Sequence, residues 1–315
     1  MIWLAWRLQR FETVLVAAAL ALAAAALIPL GLHIANVYSD TGVGACLVHG
    51  GAGCGAAVNS FRNRFEHAGS IIPWLNLLPG LIGVLFAAPL VLDFEHRTFR
   101  FAWTQSVPRG RWLAVRLTLM CGAALLATFA LTELMTSFRI PLDHVSGRME
   151  PNVFDFEGIV PYAYTLFALA LVLALGLATR RAVTAGGLGL LLYFGLRVGL
   201  QMWVRQDYVA PIRKVWPVGS PGPNGLERAW NIVSGPSDAA GHPLPQPAAD
   251  RVRALCGGPK RGDIACTRAH HVFNLAIYQP ATRFWLLQGI EAAIFAGLAV
   301  VLLAGVVFWV RDRVS

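Results

Sequence analysis

Charged residues are scarce in this chain of 315 residues, because Asp, Glu, Lys and Arg together make up only 14% of it. A typical soluble domain carries roughly 25% charged residues, and disordered segments and coiled coils also depend on abundant charge. Hydrophobic residues make up 56% of the chain, and its mean hydropathy is +0.57. The composition therefore excludes these three classes and predicts a membrane protein.

Motifs for enzymatic chemistry are also missing. The phosphate-binding loop GxxxxGK[ST] does not occur: Gly257–Lys260 carries a proline within the motif, and Gly50–Gly55 follows no strand. No nucleophile, base and orienting residue stand at a recognisable spacing. We therefore predict no enzymatic activity and no bound cofactor, so that a partner would have to bind ATP and Mg²⁺. The acids of one short outer segment are predicted to form a solvated face: Asp143, Glu150, Asp155 and Glu157.

Six apolar runs are long enough to cross a bilayer as helices, for which about 20 residues are needed. None of them alternates as the strands of a membrane β-barrel do. The fold class predicted is therefore all-α, a six-helix membrane bundle. The runs cover residues 13–34, 71–92, 113–136, 159–178, 183–203 and 287–310.

The basic residues predict the orientation. With the N-terminus inside, eleven arginines fall in short inner segments, while the fourteen outer basic residues are mostly in one long loop. Because Lys and Arg near span ends are retained in the cytoplasm, both termini are predicted to be inside, in the plasma membrane. This placement explains most of the net charge of +9 and leaves no basic face for nucleic acid.

The N-terminal leader MIWLAWRLQRFE is amphipathic. It precedes an apolar run of about 20 residues, which exceeds the 7 to 15 of a signal-peptide core, so we expect this run to remain as a span. Trp3 and Trp6 stand beside Arg7 and Arg10, a pattern typical of a helix lying along the inner leaflet. We therefore divide the chain into segments, of which the first, residues 1–36, contains this interfacial helix and the first span.

Four cysteines fall in predicted outer segments. Cys46 and Cys54 are in the first outer loop, at 37–70, and Cys256 and Cys266 are in the last. Two local disulfides are favoured, as an oxidising exterior allows. Free thiols and a metal site are the alternatives. The candidate metal ligands are Cys46, His49 and Cys54, or Cys266, His270 and His271, although neither set has the spacing of a structural zinc site.

The outer segment 204–286 contains ten of the 18 prolines and no sustained helical period. Its turn residues, Trp216, Trp230 and the two cysteines suggest a small irregular extracellular cap. A Pro-rich linker is the alternative. In this division, residues 71–203 contain the second to fifth spans. Residues 287–315 contain the last span and a cytoplasmic tail.

Residues 93–111, between the second and third spans, are predicted to lie in the cytoplasm. The acids at the start and Pro108 at the end favour a helix. Phe94, Thr98 and Gln105 would share one of its faces. A positively charged hairpin loop with aromatic anchors is the alternative.

The stretch Ala88–Leu117, APLVLDFEHRTFRFAWTQSVPRGRWLAVRL, resembles the coupling segment of actinobacterial ABC-2 type transporter permeases. Tyr278–Trp285 and Gln288–Glu291 resemble the mouth of the last span in the same family. His96 and Arg97 stand where relatives more often have Thr and Gly, which predicts a stiffer start of the coupling helix.

This resemblance implies a permease that dimerises, as a homodimer or heterodimer, and works with a separate ABC ATPase subunit. It also implies that a set of coupling residues faces that ATPase: Glu95, Arg97, Thr98, Arg100, Thr104 and Gln105. We expect an exporter of an amphipathic, lipid-like or drug-like substrate. The alternative is a membrane-anchored extracellular binding or sensor protein without transport activity.

Three ionisable residues are predicted to lie in the outer third of the bilayer: Glu133, Arg197 and Glu291. Because charge in the hydrocarbon is costly, such residues are usually paired or functional. Arg197 could pair with Glu291 or Glu133 and fasten the outer ends of the spans, or each residue could extend to the headgroups. The functional hypothesis is that the three form an outer gate.

Overall fold

The structure is a computed structural model that describes residues 2–50, 53–65, 75–98, 108–257 and 263–312, without the side chains of 2–8 and 109. Within these residues, six helices are long and apolar enough to cross a membrane, which confirms the predicted number of spans. We name them spans 1 to 6 in chain order. Their helices are Ile2–Asp40, Leu78–Glu95, Arg109–Ser146, Val160–Thr179, Ala182–Gly199 with its continuation to Asp207, and Phe284–Asp312.

Span 1 corrects the prediction of a separate interfacial helix. The chain is one continuous α-helix from Ile2 to Asp40, so the leader runs directly into the apolar segment. The leader contains no glycine or proline that would break the helix between them. A helix of 39 residues is roughly 58 Å long, about twice the hydrocarbon thickness. It therefore extends well beyond the membrane core.

The short segments after spans 1 and 3 lie at one end of the bundle. Helices Val43–His49 and Cys54–Phe65 follow span 1 and are joined by the disulfide Cys46–Cys54. Phe61 and Phe65 pack in a cluster with Ile34 of span 1 and Phe138 of span 3. The four-residue helix Pro151–Phe154 then leads from span 3 into span 4. We call this the disulfide end of the bundle.

Span 4 is the central helix and packs against spans 2, 5 and 6. Close approach of spans 2 and 4 depends on Gly83, because a Cβ there would lie 2.6 Å from the carbonyl oxygen of Thr165 and 2.8 Å from the backbone nitrogen of Leu169. Small residues at such crossings allow helices to pack without a hydrophobic driving force. Gly83 therefore sets the distance between the two helices.

We expect Gly83→Ala to destabilise the bundle by about 2 kcal/mol, because the added methyl group meets backbone atoms that cannot rotate away. Unfolding in a neutral detergent would measure the change. Gly122→Ala in span 3 is the matched control, since a Cβ there has no atom within 4 Å. Equal stabilities for the two variants would contradict the assigned packing.

The predictions of an all-α fold class and of an irregular cap are both wrong for the segment between spans 5 and 6. It contains a three-stranded antiparallel sheet in the order β1-β3-β2, formed by Ile212–Pro217, Trp230–Ser237 and Phe273–Gln279. In its register Val215 is opposite Leu275, and Ser234 is opposite Ala276. The first two strands each contain a proline and exposed polar residues, so the sequence gives only a weak strand signal there.

Two short helices complete the cap, Gln246–Leu255 and Ile264–Ala269. The disulfide Cys256–Cys266 joins them, so both predicted cysteine pairs are confirmed. One of the alternative metal sites predicted from the sequence consists of Cys266, His270 and His271. Cys256, Cys266 and His270 do lie together, but the two sulfur atoms are bonded to each other.

The cap contacts the bundle through a turn at Leu226–Arg228. Gly147, just after span 3, has a φ of +78°, and a Cβ on it would lie 2.6 Å from the carbonyl oxygen of Arg228. Only glycine fits this left-handed conformation and close approach without strain. The cap turn is therefore seated directly on the end of span 3.

Candidate functional site

A cluster of buried charged residues lies at the disulfide end of the bundle. Asp155 and Glu291 are fully buried, and Arg205 and Arg197 are 1% and 3% exposed. The two positive charges of the arginines therefore balance the two negative charges of the acids. Burial of this kind is tolerated only when the charges are paired and hydrogen-bonded.

Asp155 is the centre of this cluster. Its Oδ2 accepts a hydrogen bond from Nη2 of Arg197 at 2.6 Å, and its Oδ1 accepts one from Nη2 of Arg205 at 2.5 Å. Arg205 also donates to both carboxylate oxygens of Glu291, each at 2.7 Å. The cluster therefore joins the segment before span 4 to spans 5 and 6.

Tyr164 of span 4 completes the cluster. Its hydroxyl is hydrogen-bonded to both acids, Asp155 at 3.1 Å and Glu291 at a shorter distance. The Arg197 guanidinium lies 5.1 Å from the centre of the Tyr164 ring, within the range of a cation–π contact. Arg197 also donates to the carbonyl oxygen of Asn76, which precedes span 2. Four of the six spans are thus connected at this end.

The path of span 5 places its two arginines together. The α-helix changes at Leu200 into a π-helical turn through Val204 and then a 3₁₀ turn, Arg205–Asp207. In a regular α-helix the eight residues from Arg197 to Arg205 would leave the two side chains roughly 80° apart. A π turn takes more residues per turn, so Arg205 returns toward the face of Arg197.

Several predictions about these charges are wrong. Arg197 pairs with Asp155 rather than with Glu291 or Glu133. Glu291 pairs with Arg205, which the sequence placed in the outer loop. Glu133 is exposed on span 3, and no cation of the described chain lies within ion-pair distance of it. Of the three predicted gate residues, Arg197 and Glu291 therefore belong to one cluster without pairing directly, and Glu133 stands apart from it.

The acids of the outer segment are also placed differently from the prediction. Glu150 is exposed as expected, but Asp155 and Glu157 are buried. Glu157 lies between Nε of Arg139, at 3.8 Å, and Nε of Arg148, at 3.6 Å. Asp143 is close to the same group and is held by Arg139. Burial and the neighbouring Asp143 carboxylate raise the pKa of Glu157 to about 9.

This pKa predicts that stability falls as pH rises. Between about pH 5 and 9 the folded protein keeps a proton on Glu157 that the unfolded chain releases, so raising the pH favours unfolding. We expect Glu157→Gln to lessen this dependence and to be more stable than the wild type at pH 8 by at least about 1 kcal/mol, the equivalent of one pKa unit. Glu227→Gln is the control, because that carboxylate is half exposed. Parallel stability profiles for the wild type and Glu157→Gln would contradict the raised pKa.

The opposite end of the bundle carries the predicted coupling residues. Asp93, at the end of span 2, forms an ion pair with Arg116 of span 3, whose side chain is 4% exposed. Glu95 accepts a hydrogen bond from the backbone N–H of Ala182, at the first turn of span 5, at 2.7 Å. A carboxylate at this position also interacts favourably with the helix dipole. The end of span 2 is therefore tied to two other spans.

Asp93 and Glu95 end a helix instead of beginning one, which corrects the predicted start of a coupling helix. A turn follows at His96–Thr98, and the Thr98 hydroxyl donates to Asp93 at 2.9 Å. Arg97 has a φ of +58°, in the left-handed region that favours glycine. The expectation of a stiff start is therefore wrong, because the chain turns sharply at this position. Arg100, Thr104 and Gln105 lie outside the described residues.

Arg205 is the charged residue of the buried cluster that the sequence prediction missed. Arg205 is two residues beyond the predicted end of span 5, and only its hydrogen bonds reveal its role. The signal that could have found it is the polar stretch Arg205–Asp207, which directly follows the apolar run of span 5.

A family model described as ABC-2 membrane transporter related matches residues 17–205, from within span 1 to near the end of span 5. Searches of curated proteins and of solved structures found no match.

The six apolar helices and the family match define a multi-pass membrane transporter permease. The chain belongs to the ABC-2 membrane transporter related family. Members of this group are normally non-enzymatic membrane subunits, and the family implies an ABC ATPase as partner.

Proposed function

We propose that this protein is the permease subunit of an ATP-driven exporter in the plasma membrane. It acts as a dimer, with a homologous or identical permease, and binds two ATPase subunits from the cytoplasm. The observation that carries this proposal is the turn at residues 96–98, directly after span 2. We call it the tied turn, because Asp93 and Glu95 just before it contact spans 3 and 5. ATP and Mg²⁺ are bound by the ATPase.

The orientation proposed has both termini and the tied turn in the cytoplasm. Two disulfides lie at the other end of the bundle, as an oxidising exterior favours. The arginine-rich short segments favour the same orientation. The tied turn would then face the compartment that contains ATP.

The ties provide a route for force. A pull on residues 96–98 would pass through Asp93 and Arg116 to span 3, and through Glu95 and Ala182 to span 5. At the disulfide end, the buried cluster keeps spans 4, 5 and 6 together. The bundle would therefore rock as a unit between two states, as alternating access requires.

The proposed cargo is amphipathic, lipid-like or drug-like. The strongly polar groups of spans 4 to 6 at the disulfide end pair with one another. Their charges are therefore balanced within the protein, whereas apolar side chains are exposed along spans 1, 5 and 6.

Co-purification tests this proposal. We expect the tagged, detergent-solubilised full-length chain to bring down an ABC ATPase, recognised in the mass spectrum by its own phosphate-binding loop. Charge reversal at an interface costs several kcal/mol, so Arg97→Glu should reduce recovery of the ATPase by about tenfold, and adding Arg100→Glu should reduce it further. Arg311→Glu, near the end of span 6, is the control.

One feature favours the alternative of an extracellular binding or sensor protein. The cap has an ordered sheet and its own disulfide, which is more structure than a linker needs.

Full recovery of the ATPase with Arg97→Glu would count against the proposed contact. Purification of the wild-type chain with no ATPase, together with a soluble ligand bound through the cap, would favour the sensor.

A further inference from the structure

A cavity of about 350 Å³ opens at the disulfide end between span 3, the cap turn and the start of span 6. Span 3 contributes Ile140 and His144, and the next residues contribute Arg148 and Met149. Its walls come from three separate parts of the chain. The permease function described above assigns no role to this cavity.

Arg148 is the first cationic group of the cavity. Its guanidinium lies 4.6 Å from the centre of the Phe284 ring and 6.0 Å from that of Trp285. The contact between Arg148 and an acid joins Nε to a carboxylate oxygen of Glu157, at 3.6 Å. Within the part of the chain that the structure describes, its terminal nitrogens form no hydrogen bond, and the side chain is 43% exposed.

Arg228 of the cap turn is the second cationic group. Its backbone is seated against Gly147, so the turn holds this arginine over the cavity. Its nearest acid is the adjacent Glu227, at 4.0 Å, and both side chains are about half exposed. A pair this long and exposed contributes little. The guanidinium therefore remains free to bind an anion.

The acid that lines the cavity does not cancel these charges. Asp143 is held by Arg139, with Oδ1 3.0 and 3.1 Å from two guanidinium nitrogens. The raised pKa of Glu157 favours its neutral form, which leaves Arg148 without a full counter-charge. His144 adds further hydrogen-bonding capacity. The cavity therefore presents an excess of cationic donors.

The remaining wall is apolar. Met149 and Phe284 are buried, and Ile140 is 50% exposed. Ile140 and Thr136 lie two and three turns back along span 3 from Arg148, in the direction of the membrane. The cavity thus changes from cationic donors at the cap to an apolar surface that continues toward the hydrocarbon.

We propose that this cavity binds the phosphate headgroup of an anionic phospholipid. Arg148 and Arg228 donate hydrogen bonds to the phosphate oxygens, and one acyl chain lies along Ile140. Arginine pairs suit such an anion because the planar guanidinium matches its geometry. The inference rests on the proposed function only in placing this end of the bundle outside, so the site would hold a lipid of the outer leaflet.

Binding to the full-length protein in an uncharged detergent tests the site, with no ATPase and no transport involved. The probes are dihexanoyl phosphatidylglycerol, dihexanoyl phosphatidylcholine and inorganic phosphate, measured by calorimetry. We expect saturable binding of phosphatidylglycerol and much weaker binding of the other two. Arg148→Gln and Arg228→Gln should each weaken phosphatidylglycerol binding by about tenfold, the usual effect of losing a charged hydrogen bond.

The control is Arg251→Gln, which removes the same charge from an exposed position of the cap. Arg228→Gln is the decisive variant, since a half-exposed side chain is not needed for folding. Equal binding of phosphatidylcholine, equal binding of inorganic phosphate, or phosphatidylglycerol binding unchanged in Arg228→Gln would each overturn the proposal. Failure of ATPase co-purification would leave these results unaffected, so the two proposals are tested separately.

Discussion

Asp155→Leu is expected to destabilise the folded protein by about 4 kcal/mol, the largest effect of any single change considered. The substitution removes the acid that pairs with both Arg197 and Arg205. Arg205 would keep Glu291, but Arg197 would remain buried with no carboxylate. An uncompensated buried charge typically costs 3 to 5 kcal/mol. The measurement is the yield of monodisperse protein and its unfolding in neutral detergent.

Two further variants make this test specific. Glu133→Leu is the matched control, because it also replaces a carboxylate near the disulfide end, but an exposed one without an ion pair among the described residues. Asp155→Leu with Arg197→Met should recover much of the lost stability, since the stranded charge is then gone. A small and equal effect for Asp155→Leu and Glu133→Leu would show that the cluster does not fasten the spans.

Asp93→Leu is expected to destabilise the folded protein by about 2 kcal/mol. Arg116 is nearly fully buried in span 3, and Asp93 is its carboxylate partner. The loss is smaller than at Asp155 because Asp93 is 17% exposed, so water partly screens the pair. The same substitution removes the acceptor for the Thr98 hydroxyl and so loosens the tied turn.

Measuring both stability and ATPase recovery in a double variant separates the role of Asp93 in folding from its role in ATPase binding. In Asp93→Leu with Arg116→Met the stability should return, because no buried charge is left unpaired. ATPase recovery should stay low in the double variant, because the turn is no longer anchored to span 3 by its ion pair. Full recovery of both properties would contradict a coupling role for this tie.

The number of spans and the disulfide partners were predictable from the sequence. An apolar run of about 20 residues has few alternatives in a membrane protein. Cys46 and Cys54 are separated by only 8 positions and Cys256 and Cys266 by 10, so local pairing was the simplest solution. The coupling region was located through its resemblance to a family, whereas its local conformation was not predicted.

The charge cluster could not be predicted because its partners come from separate parts of the chain. Asp155 and Glu291 are 136 positions apart, and both bind Arg205. Hydropathy placed Arg205 and Asp155 in solvent, and no sequence rule reports the π turn that brings Arg205 back to the face of Arg197. The sheet of the cap was missed for a related reason, since its pairing of β1 with β3 joins distant segments.

The turn after span 2 must lie in the cytoplasm to meet an ATPase, and labelling from the two sides of the membrane shows on which side it lies. A single cysteine is placed at Arg97 or, as the outer reference, at Arg251, in intact cells treated with a membrane-impermeant maleimide. The four disulfide cysteines do not react, and Cys121 is first replaced by serine. We expect position 251 to be labelled at once and position 97 only after the membrane is permeabilised. Labelling of position 97 in intact cells would contradict this placement, because no ATPase in the cytoplasm could then reach the turn.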